Sequence, residues 1–538
     1  MELPEDMTLG STTPLSSYKT VWWVLLIVAV LQACYAVGFI ARTSFVVEGR
    51  RYYCLFDDAM ISMRYAANWA QGHGFVWNVG ERVEGYTNFL WTAIIGICHL
   101  LPLSPSHMCL LVQVLGIPVL WSCLVGTVLL AKSCRLSQFS ASCAVVFVGS
   151  FYNLMFFTLF GMETGLLTAL VTFALAAAVK SIRQEKASLM SVLWFAPAAL
   201  VRLDVLPVTL FAFLTVFIWV KKGRFRLVMG LLIVTAVVTT HFLWRHHFYG
   251  EWLPNTYYLK ATGWPLYERL GAGIRQTFWS ILTFGFPVIF AAILLINPKR
   301  WHFLLLGCFA LGVAYQVYVG GDAWPLNRFL LPVSLGLFVL AADGLHKSAL
   351  FINRNTGLSE KFVAMALAVL VVVAVNWIHW DHYLFVARPQ TTGDNRLNIR
   401  YTLGLEKAAE PDMSVAVLWG GTFPYFSKRI CCDLLGKCDR HIARIPAHPN
   451  VQRAGHNKYD LTYSLNTHKP DIIIHVVEAM NPAFYNNYWP FIVEIDGTEV
   501  SFCVRKNLYN KIREAKTIRW DQIIKRLQQM ETDIKQDF

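Results

Sequence analysis

Long apolar runs recur along most of this chain, and that repetition constrains its fold more than any other feature. A helix needs about 20 apolar residues to cross a hydrocarbon layer. The runs are Lys19 to Ile40, Met108 to Ala131, Phe139 to Leu159, Gly165 to Lys180, Ser188 to Val201, Val205 to Val220, Phe225 to Leu243, Gln276 to Ile296, Trp301 to Val319, Arg328 to Leu345 and Phe362 to Trp380. Lipid offers no partner to backbone polar groups, so each run must be helical. The expected architecture is a polytopic α-helical membrane protein with about 11 transmembrane helices.

A formal net charge of +13 would suit a nucleic-acid partner, but the basic residues fall in short loops between apolar runs. The clusters are Lys132 and Arg135; Lys180, Arg183 and Lys186; Lys221, Lys222, Arg224 and Arg226; Lys299 and Arg300; and Lys347, Arg354 and Lys361. All land on one side if the amino terminus is cytoplasmic, which is the positive-inside pattern, and nucleic acid is set aside. Membrane lipids are the surroundings this charge pattern fits. The stretch Phe89 to Leu101 is too short to span and is expected to lie along the outer surface. The first run, with its full length and acidic leader, reads as a retained anchor rather than a cleaved signal.

On this topology the outer face collects the loops rich in Gly, Pro, Trp and acid. They are the loop beginning at Asp57 and Asp58, Gly161-Met162-Glu163-Thr164, Arg202-Leu203-Asp204, YGEWLPNTYYLK from Tyr249 and GGDAWPLNRF from Gly320. Carboxylates converging at a membrane face point to a site rather than an anchor. A transporter would place paired charges at mid-membrane and show repeat symmetry, and neither is visible.

After Trp380 the composition turns polar, with β-type runs at Ser414 to Leu418, Asp471 to Val476, Phe491 to Ile495 and Val500 to Val504. The chain thus divides into a transmembrane module, 1–380, with an outer loop at 41–107, and a soluble α/β domain, 381–538. Asn507 to Gln536 has helical periodicity. Gly420-Gly421 reads as a strand-to-helix turn. Cys431, Cys432, Cys438 and Cys503 belong to the outer domain, where an oxidising compartment would permit pairing.

Asp57 is placed to cap a helix from Asp58 to Trp69 that Gly72-His73-Gly74 should end. Arg64, about two turns on, would then point a guanidinium toward the same cleft as the carboxylate. A hydroxyl nucleophile needs a base, and a phosphate leaving group needs positive charge or a metal. The residues leave open whether the carboxylates serve as base, nucleophile or metal ligands.

The segments DDAMISMRYAANWAQGHGFVWNVGERVEGYTNFLWT, GMETGL, YGEWLPNTYYLK, GGDAWPLNRFLLPV, DLLGKCDRHIAR and GHNKYD occur in an order that resembles the bacterial membrane arabinofuranosyltransferases, the group with mycobacterial cell-wall and pilin-glycosylating members. The resemblance implies a GT-C fold, a polyprenyl-phosphate-linked sugar donor and a multi-pass bacterial inner membrane protein with site and C-terminal domain on the outer, periplasmic face. It implies an essential aspartate at Asp57 or Asp58 and a second acid at Glu163, these three being the catalytic set. A divalent cation (Mg, Mn or Ca) held by Asp57, Asp58 and Glu163 is compatible with such enzymes. Arg64, Lys260, Arg328, Tyr257, Asp322 and Trp324 are assigned to the donor, and Glu84 and His456 to the acceptor side. The acceptor that the resemblance implies is a surface glycan or a pilin. The chain departs from the family pattern at Cys431, Cys432, Lys437 and Arg202-Leu203-Asp204, in acceptor-side or structural loops, so the resemblance implies least about the acceptor. Mannose and aminoarabinose are the competing sugars.

Overall fold

The computed structural model describes residues 18–324, 326–448, 451, 453–475, 486–518 and 520. Among these, seven helices are long and apolar enough to cross a membrane: Lys19–Thr43, Pro105–Cys134, Thr164–Gln184, Arg224–Tyr249, Arg300–Tyr318, Arg328–Thr356 and Glu360–Tyr383. Two bent pairs, Gln138–Gly149 with Tyr152–Leu159 (47°) and Leu266–Trp279 with Ile281–Ile296 (71°), bring the number to nine if each is one span. The remaining two expected runs form the shorter helices Met190–Val201 and Leu203–Trp219. Extended backbone at Arg202 (φ −155°, ψ 128°) separates them. The break has a polar cause, because Arg202 is drawn into ion pairs with Asp204 and Glu163.

The bundle is organised around two helices. Arg328–Thr356 is 83% buried and Thr164–Gln184 is 78% buried over their most apolar windows, against 22% for Lys19–Thr43. An apolar helix buried on all sides packs against protein, whereas one with an exposed apolar surface faces lipid. Phe89–Cys98 is a short helix packed on the helix Asp57–Ala70, as its length required.

The first loop opens with a hairpin, β1 (Phe45–Val47) and β2 (Arg50–Tyr52), and continues into the helix Asp57–Ala70. Gly72 and Gly74, both at positive φ, end that helix. The C-terminal region builds one sheet from β3 (Val415–Val417), β4 (Cys431–Asp433), β5 (Ile472–Ile473), β6 (Tyr488–Ile495), β7 (Thr498–Arg505) and β8 (Lys516–Thr517), in the order β4-β3-β5-β7-β6-β8. The first three are parallel and the rest antiparallel. The helix Gln390–Ala408 lies on β6 and β7, so close that a Cβ on Gly404 would sit 2.9 Å from the Phe502 ring.

First loop and sheet share one hydrophobic core, in which Phe45, Ile61, Tyr65 and Trp77 pack with Leu405, Val417 and Phe502. The C-terminal region is thus anchored to the loop rather than tethered beyond the membrane. Two expectations are corrected here. The four cysteines of this region are free and buried, and the neighbours Cys431 and Cys432 on β4 face opposite sides of the sheet, into different cores. The expected helix Asn507 to Gln536 begins instead with a 3-10 turn at Lys506–Lys511 followed by β8, and Trp520 is helical; most of it lies outside the described residues, as does the last residue of the expected Asp471 to Val476 strand.

Candidate active site

The helix Asp57–Ala70 begins after Phe56, and no side chain caps it. Asp57 therefore does not cap its own helix. Both aspartates instead lie in the first turn, where the helix dipole favours negative charge. Consecutive helical residues point roughly 100° apart, and this separates two chemically identical side chains.

Asp57 turns toward the C-terminal sheet domain. Its Oδ1 accepts the Thr422 N–H at 3.3 Å, while its buried Oδ2 has no hydrogen-bond partner. Gly421 passes so close that a Cβ there would fall 2.2 Å from the Asp57 carbonyl oxygen, so the glycine pair after β3 is a docking point for this helix. Burial, opposed by Lys437 and reinforced by Asp58, pushes the Asp57 carboxyl up to about 6.

Asp58 turns the other way, into a cavity it lines with Arg202, Lys260, Arg328 and Lys437. Its side chain is 28% exposed there. Oδ1 accepts from Lys437 Nζ at 2.8 Å and Oδ2 from Arg328 Nη1 at 2.9 Å. Burial alone would raise this carboxyl; Lys437 and Arg328 hold it well below the usual carboxylate range. Arg328 also forms a fork on Asp322, with Nε to Oδ2 at 3.0 Å and Nη2 to Oδ1 at 2.8 Å. A planar guanidinium suits this double role.

Glu163 lines the same cavity but is almost wholly buried. Its Oε2 accepts from Asn88 Nδ2 at 2.9 Å and its Oε1 from Arg202 Nη1 at 3.0 Å. Asn88 in turn accepts from Ser62 and Thr92, each at 3.0 Å. Lys260, on the short helix Asn255–Ala261, completes the set. Its ammonium makes no ion pair or hydrogen bond among the described residues, and burial together with Arg328 brings it down to about 8. His456 and Trp324 form further wall. Burial first, then Lys437 and Arg453, holds the His456 ring neutral, down to about 3, and its Nε2 is unpartnered.

Thr87, Arg202, Thr256 and Lys260 also line a second, larger cavity, whose walls include Leu253, Pro254, Tyr257, Tyr315, Tyr318 and Phe329. A polar, charged chamber thus shares a wall with a larger, mainly apolar groove.

The sequence motifs meet here because they bind one another. Asn255 Nδ2 donates to the carbonyls of Gly436, Lys437 and Asp439 at 2.9, 3.1 and 2.9 Å. Lys458 donates to Tyr258 O at 3.0 Å and Ala443 O at 2.7 Å. Of the expected site residues, Asp58, Glu163, Lys260, Trp324, Arg328 and His456 line the first cavity and Tyr257 the second. Asp322 stands behind Arg328.

Three expected residues lie elsewhere. Asp57 faces the sheet domain, as above. Arg64 turns away from the cavity: its donors go to Trp77 O (2.5 Å), Asn78 Oδ1 (3.2 Å), Arg429 O (2.7 Å) and Pro424 O. With that capacity consumed it clamps loop to sheet domain, and it is withdrawn from the donor set. Glu84 is buried against Arg245 at 2.6 Å and lines neither cavity. Burial, only partly offset by Arg245, pushes its carboxyl to about 7.

The pairing of Lys437 with Asp58 and of Arg202 with Glu163 in this cavity was not anticipated. Each looked like a family departure, and neither lies near Asp58 or Glu163 in sequence. The one available signal was a Lys after Gly436 in a turn otherwise fitted for burial.

A divalent cation does not fit the acids present. Among the described residues no three His, Cys, Asp or Glu side chains gather to hold a metal ion. Asp58 and Glu163 each give both oxygens to cations or amides, and Asp57 points to Thr422.

No curated protein sequence matches the chain. A family described as a domain of unknown function (DUF8728) matches residues 390–518. Among solved structures, the chain is similar to ArnT from Cupriavidus metallidurans bound to undecaprenyl phosphate, with a TM-score of 0.53 at 12% identity over 90% of this chain and 98% of that one. The apo state of that protein gives 0.52 at 13% identity, over 90% and 98%. The Archaeoglobus fulgidus oligosaccharyltransferase in its apo form gives 0.51 at 10%, over 88% and 73%. The fold is that of the GT-C membrane glycosyltransferases, a multi-pass helical module carrying a C-terminal sheet domain.

Proposed function

We propose that the chain is a polyprenyl-phosphate-dependent glycosyltransferase that moves D-arabinofuranose to a surface glycan or pilin at the outer face of a bacterial inner membrane. The observation that carries this reading is a single cavity holding Asp58 and Glu163 beside Lys260, Arg328 and Lys437, with an apolar groove that shares four of its wall residues. A lipid-linked phosphate needs both parts, cations for its head and an apolar channel for its tail. ArnT, similar in fold, was solved with undecaprenyl phosphate. The arabinofuranose assignment rests on the ordered sequence motifs. Residues 1–380 carry the membrane module in this reading and 381–538 the outer domain that closes the site.

An acceptor hydroxyl oxygen attacks the anomeric carbon of the donor. The bond from that carbon to the phosphate oxygen breaks, and its electron pair leaves on polyprenyl phosphate. Lys260 and Arg328 stabilise that charge, being placed before it develops. Asp58 takes the hydroxyl proton as the new C–O bond forms and later gives it to solvent. Glu163, locked by Arg202 and Asn88, supplies fixed negative charge near the anomeric centre. His456, neutral and with a free nitrogen, is placed for hydrogen bonding to the acceptor.

The test is purified full-length protein offered polyprenyl-phosphate arabinofuranose, mannose and aminoarabinose, with release of polyprenyl phosphate measured. Release from arabinofuranose alone supports the full reading. Release from another donor alone moves the sugar assignment, and release from none overturns the enzyme assignment. Orientation is checked by reporter fusions, active outside the cytoplasm after Trp380 and inside at Lys222.

A further inference from the structure

Lys437 is the one cavity ammonium that comes from the C-terminal domain and reaches a carboxylate of the membrane module. Its backbone is fixed from both sides. Asp433 accepts the N–H groups of Leu435 at 3.0 Å and Cys438 at 2.6 Å, and Asn255 donates to the carbonyls of Gly436, Lys437 and Asp439. Gly85 abuts the same turn: a Cβ there would lie 2.4 Å from Cys438 Sγ and 3.0 Å from Lys437 O. The turn is therefore rigid, and what freedom Lys437 has lies in its side chain.

The charges around Asp58 are uneven. One carboxylate receives two cations, Arg328 at 2.9 Å and Lys437 at 2.8 Å. Arg328 has a second anion in Asp322, to which it is bound through two nitrogens, and is locked in place. Lys437 has no anion but Asp58 among its hydrogen-bond partners. It also keeps 12% exposure toward the cavity, whereas Arg328 keeps 5%. An ammonium on a flexible stem can re-aim its donors, and a guanidinium held in a fork cannot do so cheaply.

We propose that Lys437 is an exchangeable counter-ion, paired with Asp58 before the donor binds and transferred to the phosphate oxygens of a lipid-linked donor when it does. The inference rests on the functional reading above and adds a role for the C-terminal domain in it. The exchange would give the incoming anion a further cation beside Lys260 and Arg328. It would also leave Asp58 with one partner instead of two, free to receive the acceptor hydroxyl. The step moves no bond and consumes no co-reactant. Lys437 acts as a positioning residue whose effect on the proton acceptor depends on the donor being present.

The experiment is equilibrium binding of undecaprenyl phosphate and of the uncharged alcohol undecaprenol to full-length protein in lipid nanodiscs. Wild-type protein is expected to prefer the phosphate, Lys437→Met to lose about tenfold of that preference, and Lys437→Arg to regain part of it. Asp58→Asn, which frees Lys437 in advance, is expected to tighten phosphate binding severalfold, and this gain should vanish in the Asp58→Asn/Lys437→Met double variant. A gain from Asp58→Asn of equal size with and without Lys437 would reduce the effect to through-space charge and overturn the exchange. Unchanged phosphate preference in Lys437→Met would overturn it as well. If Lys437→Met does not fold, Lys437→Gln takes its place in both arms. Absence of any phosphate preference in wild-type protein would instead sink the donor assignment itself.

Discussion

Two charged regions flank the helix Asp57–Ala70, and they differ in what their polar groups have left to give. On the cavity side, Asp58, Lys437 and Lys260 face a shared space, and among the described residues the Lys260 ammonium makes no hydrogen bond or ion pair. On the other side, Arg64 and Arg429 are buried in a lattice of backbone carbonyls: Arg64 donates to Trp77, Pro424 and Arg429, and Arg429 to Leu405 at 3.0 Å and Ala409 at 2.9 Å. Both regions join first loop to C-terminal domain. The clamp joins them with saturated bonds and holds position; the cavity joins them with charges that a ligand can recruit. Charge in the loop was therefore a poor guide to chemistry, and unspent bonding capacity was a better one.

The largest expected effect separates the two regions outright. Asp58→Asn keeps the shape of the cavity and removes the proton acceptor, so transfer should fall by roughly 10² to 10⁴. The melting temperature should fall as well, because the carboxylate that Lys437 and Arg328 hold ionised stabilises the folded state, so turnover is taken per folded molecule. Single-turnover assays with the lipid-linked sugar, alongside thermal melts, check this. Turnover near wild type would move the chemistry away from the cavity.

The clamp should give the opposite signature. Arg64→Leu strands several buried carbonyl oxygens, each costing about 1–3 kcal/mol when left unsatisfied, and a total near 3 kcal/mol is expected after relaxation. Activity per folded molecule should stay close to wild type. A variant that melts normally but fails to turn over would place Arg64 back with the donor.

A graded loss is expected at Lys260. Removing a free cation beside an incoming phosphate, Lys260→Ala should raise the apparent KM for the donor about tenfold while acceptor saturation moves less. Equal effects on both substrates would put Lys260 in general cavity structure rather than at the phosphate.

The fold class was legible because the apolar runs obey the bilayer's length and backbone rules whatever their tertiary partners. The exceptions were at Arg202, where a composition-based run hid a polar break, and at β4, where two cysteines suggested pairing but strand alternation sends them apart. The membership of the cavity was legible in Asp58, Glu163, Lys260, Arg328, Trp324 and His456, all within ordered motifs. The orientation of Asp57 and Arg64 was not, because it depends on which face of one helix meets Gly421, Pro424 and Arg429, residues more than 300 positions away. The pairing of Lys437 with Asp58, 379 positions apart, was hidden for the same reason.

The smallest expected effect divides the paired aspartates themselves. Asp57 has its carboxyl pushed up to about 6 from an ordinary 3.8, chiefly by burial, so the folded protein holds that proton more tightly than the unfolded chain does. Between about pH 4 and pH 6 the folded state then binds more protons, and stability falls as pH rises through this window. Above pH 6 the ionised, half-unpaired carboxylate is a standing cost. Asp57→Asn keeps an oxygen for the Thr422 N–H and removes the charge, so it should stabilise the protein by about 1 kcal/mol at pH 8, the gain shrinking toward pH 4. Thermal melts in nanodiscs across that range measure it. A destabilised Asp57→Asn at pH 8, or a gain that grows as pH falls, would show that the ionised carboxylate itself holds the sheet domain to the first loop, and the contrast with Asp58 would have to be redrawn.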